Sequence, residues 1–319
     1  MPYRALSLLL VVALAVGCQK EKPYPSRSIT VICPWGAGGG TDRISRYFAN
    51  ALQTEFANPV VVVNKTGGSG ATGHSFGAKA RPDGHTITMI TAELSTMHQL
   101  GITSLTYKDF RPILQMNADP AAIIVARKAP WPDITSFLDA VRNSPGSLKM
   151  SGTASGGTWD LARVGMLQAA GLDRKSLIWV PTDGAAESLK ELLGGHLDAV
   201  CCSVPEAAQQ IDDGQLRVLV VMSKERSADY PRYPTLIESG IPWSSVGWRG
   251  LAVPAGTPDD IVETLTIKCQ FIAESMEFRT YMQKEGFGVT VRQAKDFLVF
   301  LEEQDELWKP VVAAFSQDK

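Results

Sequence analysis

Ile29-Thr30-Val31-Ile32-Cys33-Pro34-Trp35-Gly36-Ala37-Gly38-Gly39-Gly40-Thr41-Asp42 joins an apolar run to a glycine-rich loop and then to a helical pattern. The β-branched run predicts a buried strand over 28–34. From about Thr41 to residue 56, Ile44, Phe48, Leu52 and Phe56 recur at steps of four, so one helix face is apolar. A strand, a glycine loop and a helix form the repeating unit of an α/β protein. Working outward, the unit recurs. Residues 59–64 hold four successive Val, which predicts a strand buried on both faces of a parallel sheet. A glycine-rich loop at 67–73, a helix to Ala80, the turn Arg81-Pro82-Asp83-Gly84 and a strand over 85–91 follow. Strands are expected at 121–126, 148–151, 177–180, 199–202, 216–222 and 250–253, and helices at 159–170, 185–193, 258–276, 278–284 and 294–314. Thr257-Pro258 predicts a helix start with a hydroxyl cap and Pro at the first helical position.

In the other direction, the tether 19–27 leads back to Cys18, and before it lies the apolar run 5–16 preceded by Arg4. At about 12 residues this run is too short to span a bilayer and the right length for a signal-peptide core. Ala15-Val16-Gly17-Cys18 resembles a bacterial lipoprotein signal, in which the Cys is acylated and becomes residue one. Residues 1–17 are then a signal peptide and Cys18 the lipidation site. The whole chain has 319 residues, a length of about two domains. Its 31 Lys+Arg against 33 Asp+Glu argue against a dedicated nucleic-acid binder, which carries a basic face. Removal of residues 1–17 takes one Arg, so the mature charge is 30 minus 33, or −3. Cys33, Cys201, Cys202 and Cys269 lie in apolar segments and are expected to be small hydrophobes rather than a disulfide framework. His74, His85, His98 and His196 have no metal-ligand spacing, and neither a metal nor a cofactor is expected.

Three loops rich in Gly, Ser and Thr, at 36–42, 67–73 and 151–158, each sit between a strand and a helix. In an open α/β sheet such loops line the ligand crevice, and helix N-termini offer unpaired N–H groups that favour anions. Thr41, Ser69, Thr153 and Ser155 add hydroxyls, and Asp183-Gly184 makes a fourth helix start. Gly68-Ser69-Gly70-Ala71-Thr72-Gly73 also matches a dinucleotide fingerprint, with Glu93 twenty residues on. Its helix is short and it follows the second strand, which weighs against that use. No GxSxG nucleophile elbow occurs, and the acidic pairs Asp212-Asp213, Asp259-Asp260 and Glu302-Glu303 sit where caps or solvated faces are expected.

The stretch from Ile29 to Asp42 resembles the opening signature of the tripartite tricarboxylate transporter substrate-binding proteins, also called the Bug family. Asn64-Lys65-Thr66-Gly67-Gly68-Ser69-Gly70 with Gly73, Arg81-Pro82-Asp83-Gly84-His85-Thr86, Gly152-Thr153-Ala154-Ser155-Gly156-Gly157, and Val253-Pro254-Ala255-Gly256-Thr257-Pro258 are similar to later family segments in the same order. The resemblance implies a two-lobed periplasmic-binding-protein fold of type II, a Venus flytrap whose lobes are mostly parallel sheets flanked by helices. The strands at 121–126 and 250–253 would cross between lobes. Domain 1 is then 28–124 plus 250–319, and domain 2 is 125–249.

The implied function is capture of a small organic carboxylate, or an amino acid, and delivery to large and small integral-membrane transporter subunits, with no catalysis. The implied place is the periplasmic or extracytoplasmic face of a membrane, held there through lipidated Cys18. The ligand residues carried over or read from the loops are Trp35, Gly38, Gly39, Gly40, Thr41 and Asp42; Gly68, Ser69 and Gly70; Ser151, Thr153, Ser155, Gly156 and Trp159; Asp183, Gly184, Ser203, Trp248 and Arg249. Trp35, Trp159, Asp183, Cys202, Arg249 and Glu93 depart from the family pattern. An inward Arg249 would favour a second carboxylate or a planar acid stacked on Trp248, whereas Asp42, Glu93 or Asp183 would favour an ammonium group. A ligand-sensing module for a signalling partner and an exported α/β enzyme are the rival readings.

Overall fold

A computed structural model describes residues 23–226 and 230–317, and Cys18 with its signal lies outside the described residues. The elements in order are β1 (Ile29–Cys33), α1 (Gly40–Phe56), β2 (Val60–Asn64), α2 (Ala71–Ala78), β3 (Thr86–Thr91), β4 (Phe110–Ala126), α3 (Ile134–Asn143) and β5 (Lys149–Ser151). They continue with α4 (Thr158–Ala169), β6 (Ile178–Trp179), α5 (Ala185–Leu193), β7 (Ala199–Ser203), α6 (Ala208–Asp212), β8 (Leu216–Val221) and β9 (Val246–Pro254). The last five are α7 (Asp259–Glu274), α8 (Met276–Lys284), β10 (Val289–Gln293), α9 (Ala294–Leu307) and α10 (Lys309–Gln317).

The strands run in the order β2-β1-β3-β9-β4-β7-β5-β6, with β8 and β10 also on β4. β1 pairs in parallel with β2 and β3, and β5 with β6 and β7. Every antiparallel pair involves β4 or β9. Those two strands make the two-lobed shape. From Phe110 to Pro120, β4 pairs with β9; from Ala121 onward the same strand pairs with β7 and β8 in the second sheet. One apolar core lies under the second sheet around Ile123, Phe137, Val200 and Leu219. Two others flank the first sheet, around Ile29, Phe48, Met89 and Leu265, and around Ile90, Trp248 and Phe297.

Five local expectations need correction. β2 is an edge strand, not one buried on both faces: Val61 and Val63 are 48% and 38% exposed. The crossing strand expected at 121–126 begins at Phe110. The helix expected over 294–314 breaks at Trp308, because Pro310 has no N–H to continue the α9 ladder. Pro258 is the N-cap of α7 rather than its first residue, and the Thr257 hydroxyl donates to the Pro254 carbonyl. No helix is expected over 134–143, yet α3 stands there, started by the reciprocal Asp133–Ser136 capping box and burying Ile134, Phe137, Leu138 and Val141. The four cysteines are free and buried.

Candidate functional site

Between the lobes lies a cavity of about 370 Å3, walled by the loop after β1, the end of β3, the starts of α4 and α5, the turn after β7, and β9. Helices α1, α4 and α5 begin at its wall on the N-caps Gly39, Gly157 and Gly184, none of which has a side chain to cap the orphan amides. Three helix ends of partial positive charge therefore converge on one space. Gly184, at φ 142°, holds a backbone conformation that side chains other than glycine's rarely adopt. Gly40 is fixed by space: a Cβ there would lie 2.9 Å from Arg249 Nη2 and from Glu206 Oε1.

Arg249 points inward from β9 and is buried. Its Nε donates to Thr41 Oγ1 at 3.0 Å, Nη1 to Asn117 Oδ1 at 2.6 Å and Nη2 to Glu206 Oε1 at 3.2 Å. Asp119 Oδ2 lies 3.5 Å from Nη1. The guanidinium thus ties α1, β4, β9 and the turn after β7 together, spanning both lobes. Asp119 is buried, and burial pushes its carboxyl up to about 6 against the opposing pull of Arg249, Asn117 and the Gly288 N–H.

Glu93, in the turn after β3, faces the start of α4 across the cleft. Its Oε1 accepts the Thr158 N–H at 3.0 Å and its Oε2 accepts the Thr91 hydroxyl at 2.5 Å. Trp35 Nε1 in turn donates to Thr91 Oγ1 at 3.3 Å. Other contacts between lobes are Gly36 N to the Asp183 carbonyl at 3.2 Å and the Ser69 hydroxyl to the Ser155 carbonyl at 2.6 Å. The cavity wall carries the carboxylates of Glu93, Asp183, Glu187 and Glu206 and the cations of Lys190 and Arg249.

Of the residues expected at the site, Trp35, Gly39, Gly40, Thr41, Thr153, Trp159, Asp183, Gly184, Trp248 and Arg249 line this cavity. The others lie outside it: Gly38, Gly68 and Ser155 are exposed, and the rest are buried behind its wall. Asp42 turns away to accept Gly38 N, Arg46 Nε and Asn64 Nδ2, which hold its carboxyl below the usual range despite burial. Ser151 is buried in a hydroxyl cluster with Ser188 and Thr182 under α5. Ser203 donates to Glu206 Oε2 and so fixes that carboxylate. Gly156 N binds Asp160, and Gly70 packs by its α-carbon side against the Trp35 ring and the His74 imidazole. Gly68 lies beside Ala71 and Ile102 in the loop that presents Ser69. Trp248 forms wall, but its indole packs edge-on against Phe297 and Phe300, so no planar acid stacks on it.

Thr91, Glu187, Lys190, Glu206 and Gly247 line the cavity without having been expected there, and Thr158 lines it as the end of the expected loop 151–158. One signal for Glu206 is in the sequence: Ser203-Val204-Pro205-Glu206 has capping-box spacing directly after a strand. Gly247 has a reason that only packing reveals, since a Cβ on it would come within 2.5 Å of the Trp159 ring. Among the described residues no cluster of three His, Cys, Asp or Glu could hold a metal ion, and no helix is long and apolar enough to cross a membrane.

The profile of the tripartite tricarboxylate transporter family receptor matches residues 44–316. Protein BugT of Bordetella pertussis is 26% identical over 297 residues, covering 91% of this chain and 89% of that protein. A TctC solute binding protein from Polaromonas, solved with no ligand, is 34% identical over 91% of this chain and 99% of its own, with a TM-score of 0.67. The periplasmic binding protein BugD is 28% identical over 90% and 98%, with a TM-score of 0.84. At 23% and 24% identity, two Rhodopseudomonas palustris proteins, one with bound malate and one with adipate, share the fold at TM-scores of 0.83 and 0.83 over 91% of this chain, and over 100% and 98% of their own. With its profile matched over most of its length and its two-lobed fold shared, the chain belongs to the tripartite tricarboxylate transporter family of receptors.

Proposed function

We propose that this receptor captures a small organic carboxylate in the cavity between its lobes and presents it to the large and small membrane subunits of a tripartite tricarboxylate-type transporter, from the periplasmic or extracytoplasmic face of a membrane. The observation that carries the reading is the convergence of α1, α4 and α5 on one cavity through N-termini that begin on glycine. Such ends offer backbone N–H groups to an anion without any cationic side chain, at α1 and α5 above all, since Glu93 takes the first N–H of α4. Structures of the same fold hold malate and adipate, acids that the cavity volume accommodates. We also propose the division into 28–124 plus 250–319 and 125–249, with closure of one lobe on the other; the change of partners within β4, from β9 to β7 and β8 at Ala121, supports a crossing near the first boundary.

A thermal-shift panel of carboxylates, amino acids, sugars and cations tests this. A ligand at about 100 times its dissociation constant stabilises the closed form by about 2.7 kcal/mol. For a chain of this size the midpoint rises by about 4 °C. A response to neutral sugars or cations alone, with none to any carboxylate, refutes the reading. We further propose that Cys18 is acylated and tethers the receptor. Cys18→Ser moves the protein out of the membrane fraction or stops its maturation, and an unmodified Cys18 in the mature protein, read by intact mass, refutes the tether.

A further inference from the structure

The third helix end in the cleft is not vacant, because the chain fills it with a carboxylate of its own. Glu93 is buried, and both of its oxygens are engaged: Oε1 by the first N–H of α4 and Oε2 by Thr91. Thr91 is itself held by the indole N–H of Trp35 on the same lobe. The relay from Trp35 through Thr91 fixes the Glu93 carboxylate to lobe 1 and aims it at lobe 2. A helix of 12 residues ends there in an N-cap glycine, so the amide that Glu93 occupies is one that no local side chain would satisfy. The contact has the chemistry of an acid ligand bound at a helix N-terminus, supplied from within.

Charge in the cavity points the same way. Four carboxylates, Glu93, Asp183, Glu187 and Glu206, face Lys190 and Arg249. Arg249 spends its N–H groups on Thr41, Asn117, Asp119 and Glu206. It therefore has no paired N–H fork to offer an incoming acid, and the donors left for an anion are the starts of α1 and α5, with Lys190 on α5. These suit one carboxylate. A second would meet Glu93 at the α4 end with like charge.

We propose that Glu93 is a built-in ligand carboxylate, which makes this receptor selective for acids with a single carboxylate and a hydrogen-bond donor, an ammonium or amide group, where a dicarboxylate carries its second charge. The proposal rests on the carboxylate-binding reading above and names the ligand class within it. Glu93 is then a specificity-determining residue whose substitution changes which acids bind before it changes whether any binds.

The test uses the mature chain and probes matched in length: succinate, succinamate and 4-aminobutyrate, with adipate and 6-aminohexanoate as the longer pair, measured by calorimetry and thermal shift. Wild type is expected to prefer the amino or amide acid over its dicarboxylate partner by a factor on the order of 100. Glu93→Gln, which keeps the shape and removes the charge, is expected to erase or invert that ratio. Thr91→Val loosens Glu93 but leaves its charge, and is expected to keep the order of preference with weaker binding. Circular dichroism verifies that the variants fold; if Glu93→Gln does not, Glu93→Asp, which withdraws the carboxylate by one methylene, must narrow the ratio. A dicarboxylate that binds wild type as tightly as its amino partner, or a ratio that survives the change at Glu93, overturns the proposal while leaving carboxylate binding intact. Absence of binding by acids of every kind instead refutes the carboxylate reading itself.

Discussion

Arg249 sits where the two lobes meet, and its burial among Asp119, Glu206, Asn117 and Thr41 makes it a structural tie between them. A buried charge is tolerated only when its partners are complete. The least comfortable partner is Asp119, whose folded carboxyl is raised from 3.8 to about 6 by enclosure. Between about pH 4 and pH 6 the native state therefore holds a proton that the unfolded chain has lost, so stability falls as pH rises through that window. The cost is fully present above it, at about 3 kcal/mol for a shift of this size. Asp119→Asn is expected to flatten the slope of unfolding free energy between pH 4 and 6.5 relative to wild type, whatever it does to the level at either end. Equal slopes in urea titrations of the two proteins count against this origin of the pH dependence. Thr41 and Arg249 are legible as candidates from loop position and motif. Asn117 and Asp119 are not, since Gln115, Asn117 and Asp119 alternate with apolar residues as a solvent-facing strand edge would, and only β9 and β10 on either side bury them.

At the level of elements, the strand–loop–helix units near each terminus of the cleft are readable because their signals are local. The run before Trp35, the glycines after it and the apolar face of α1 follow one another within about thirty residues, and β1 and α1 form as expected. β2 shows what local signals omit. Four consecutive valines read as a doubly buried strand, yet at the sheet edge Val61 and Val63 face solvent, on the face that no described element covers. The long β4 fails in the opposite direction. Its 17 residues change partners midway, from β9 to β7 and β8, so its first half carries a polar alternation and its second half a continuous apolar run. No single period describes it, and only the apolar half announces itself. α3 was within reach: Asp133 and Ser136 give a start signal, and the apolar spacing over 134–141 is helical. The glycine loops divide by what lies on their far side. Those at 36–42 and 183–184 open into the cavity, whereas 67–70 closes against the opposite lobe through Ser69 and the Ser155 carbonyl.

For the molecule as a whole, the lobes are joined by more than the two strands that pass between them. α10 follows the lobe 1 helix α9 and packs against α4 of lobe 2, where Trp308, Val312 and Phe315 meet Leu161 and Val164. Trp243, whose Nε1 donates to the Ala162 carbonyl, lies edge-on to Trp308 with ring centroids 6.4 Å apart. The helix whose N-terminus faces the cavity is therefore gripped from behind by the last helix of the chain. Under the proposed closure, the contacts across the cleft are polar, each worth about 0.5–1.5 kcal/mol net, while the apolar dock of α10 holds α4 in place. Trp308→Ala removes the centre of that dock. It is expected to cost about 3 kcal/mol in urea unfolding, and to raise the radius of gyration of the ligand-free protein in small-angle scattering as α4 loses its backing. Under the proposed binding mode, a carboxylate held between α1 and α5 should restore part of the compactness. If the variant is as stable and as compact as wild type, α10 is a passenger on lobe 2 and the cleft contacts alone hold the lobes together.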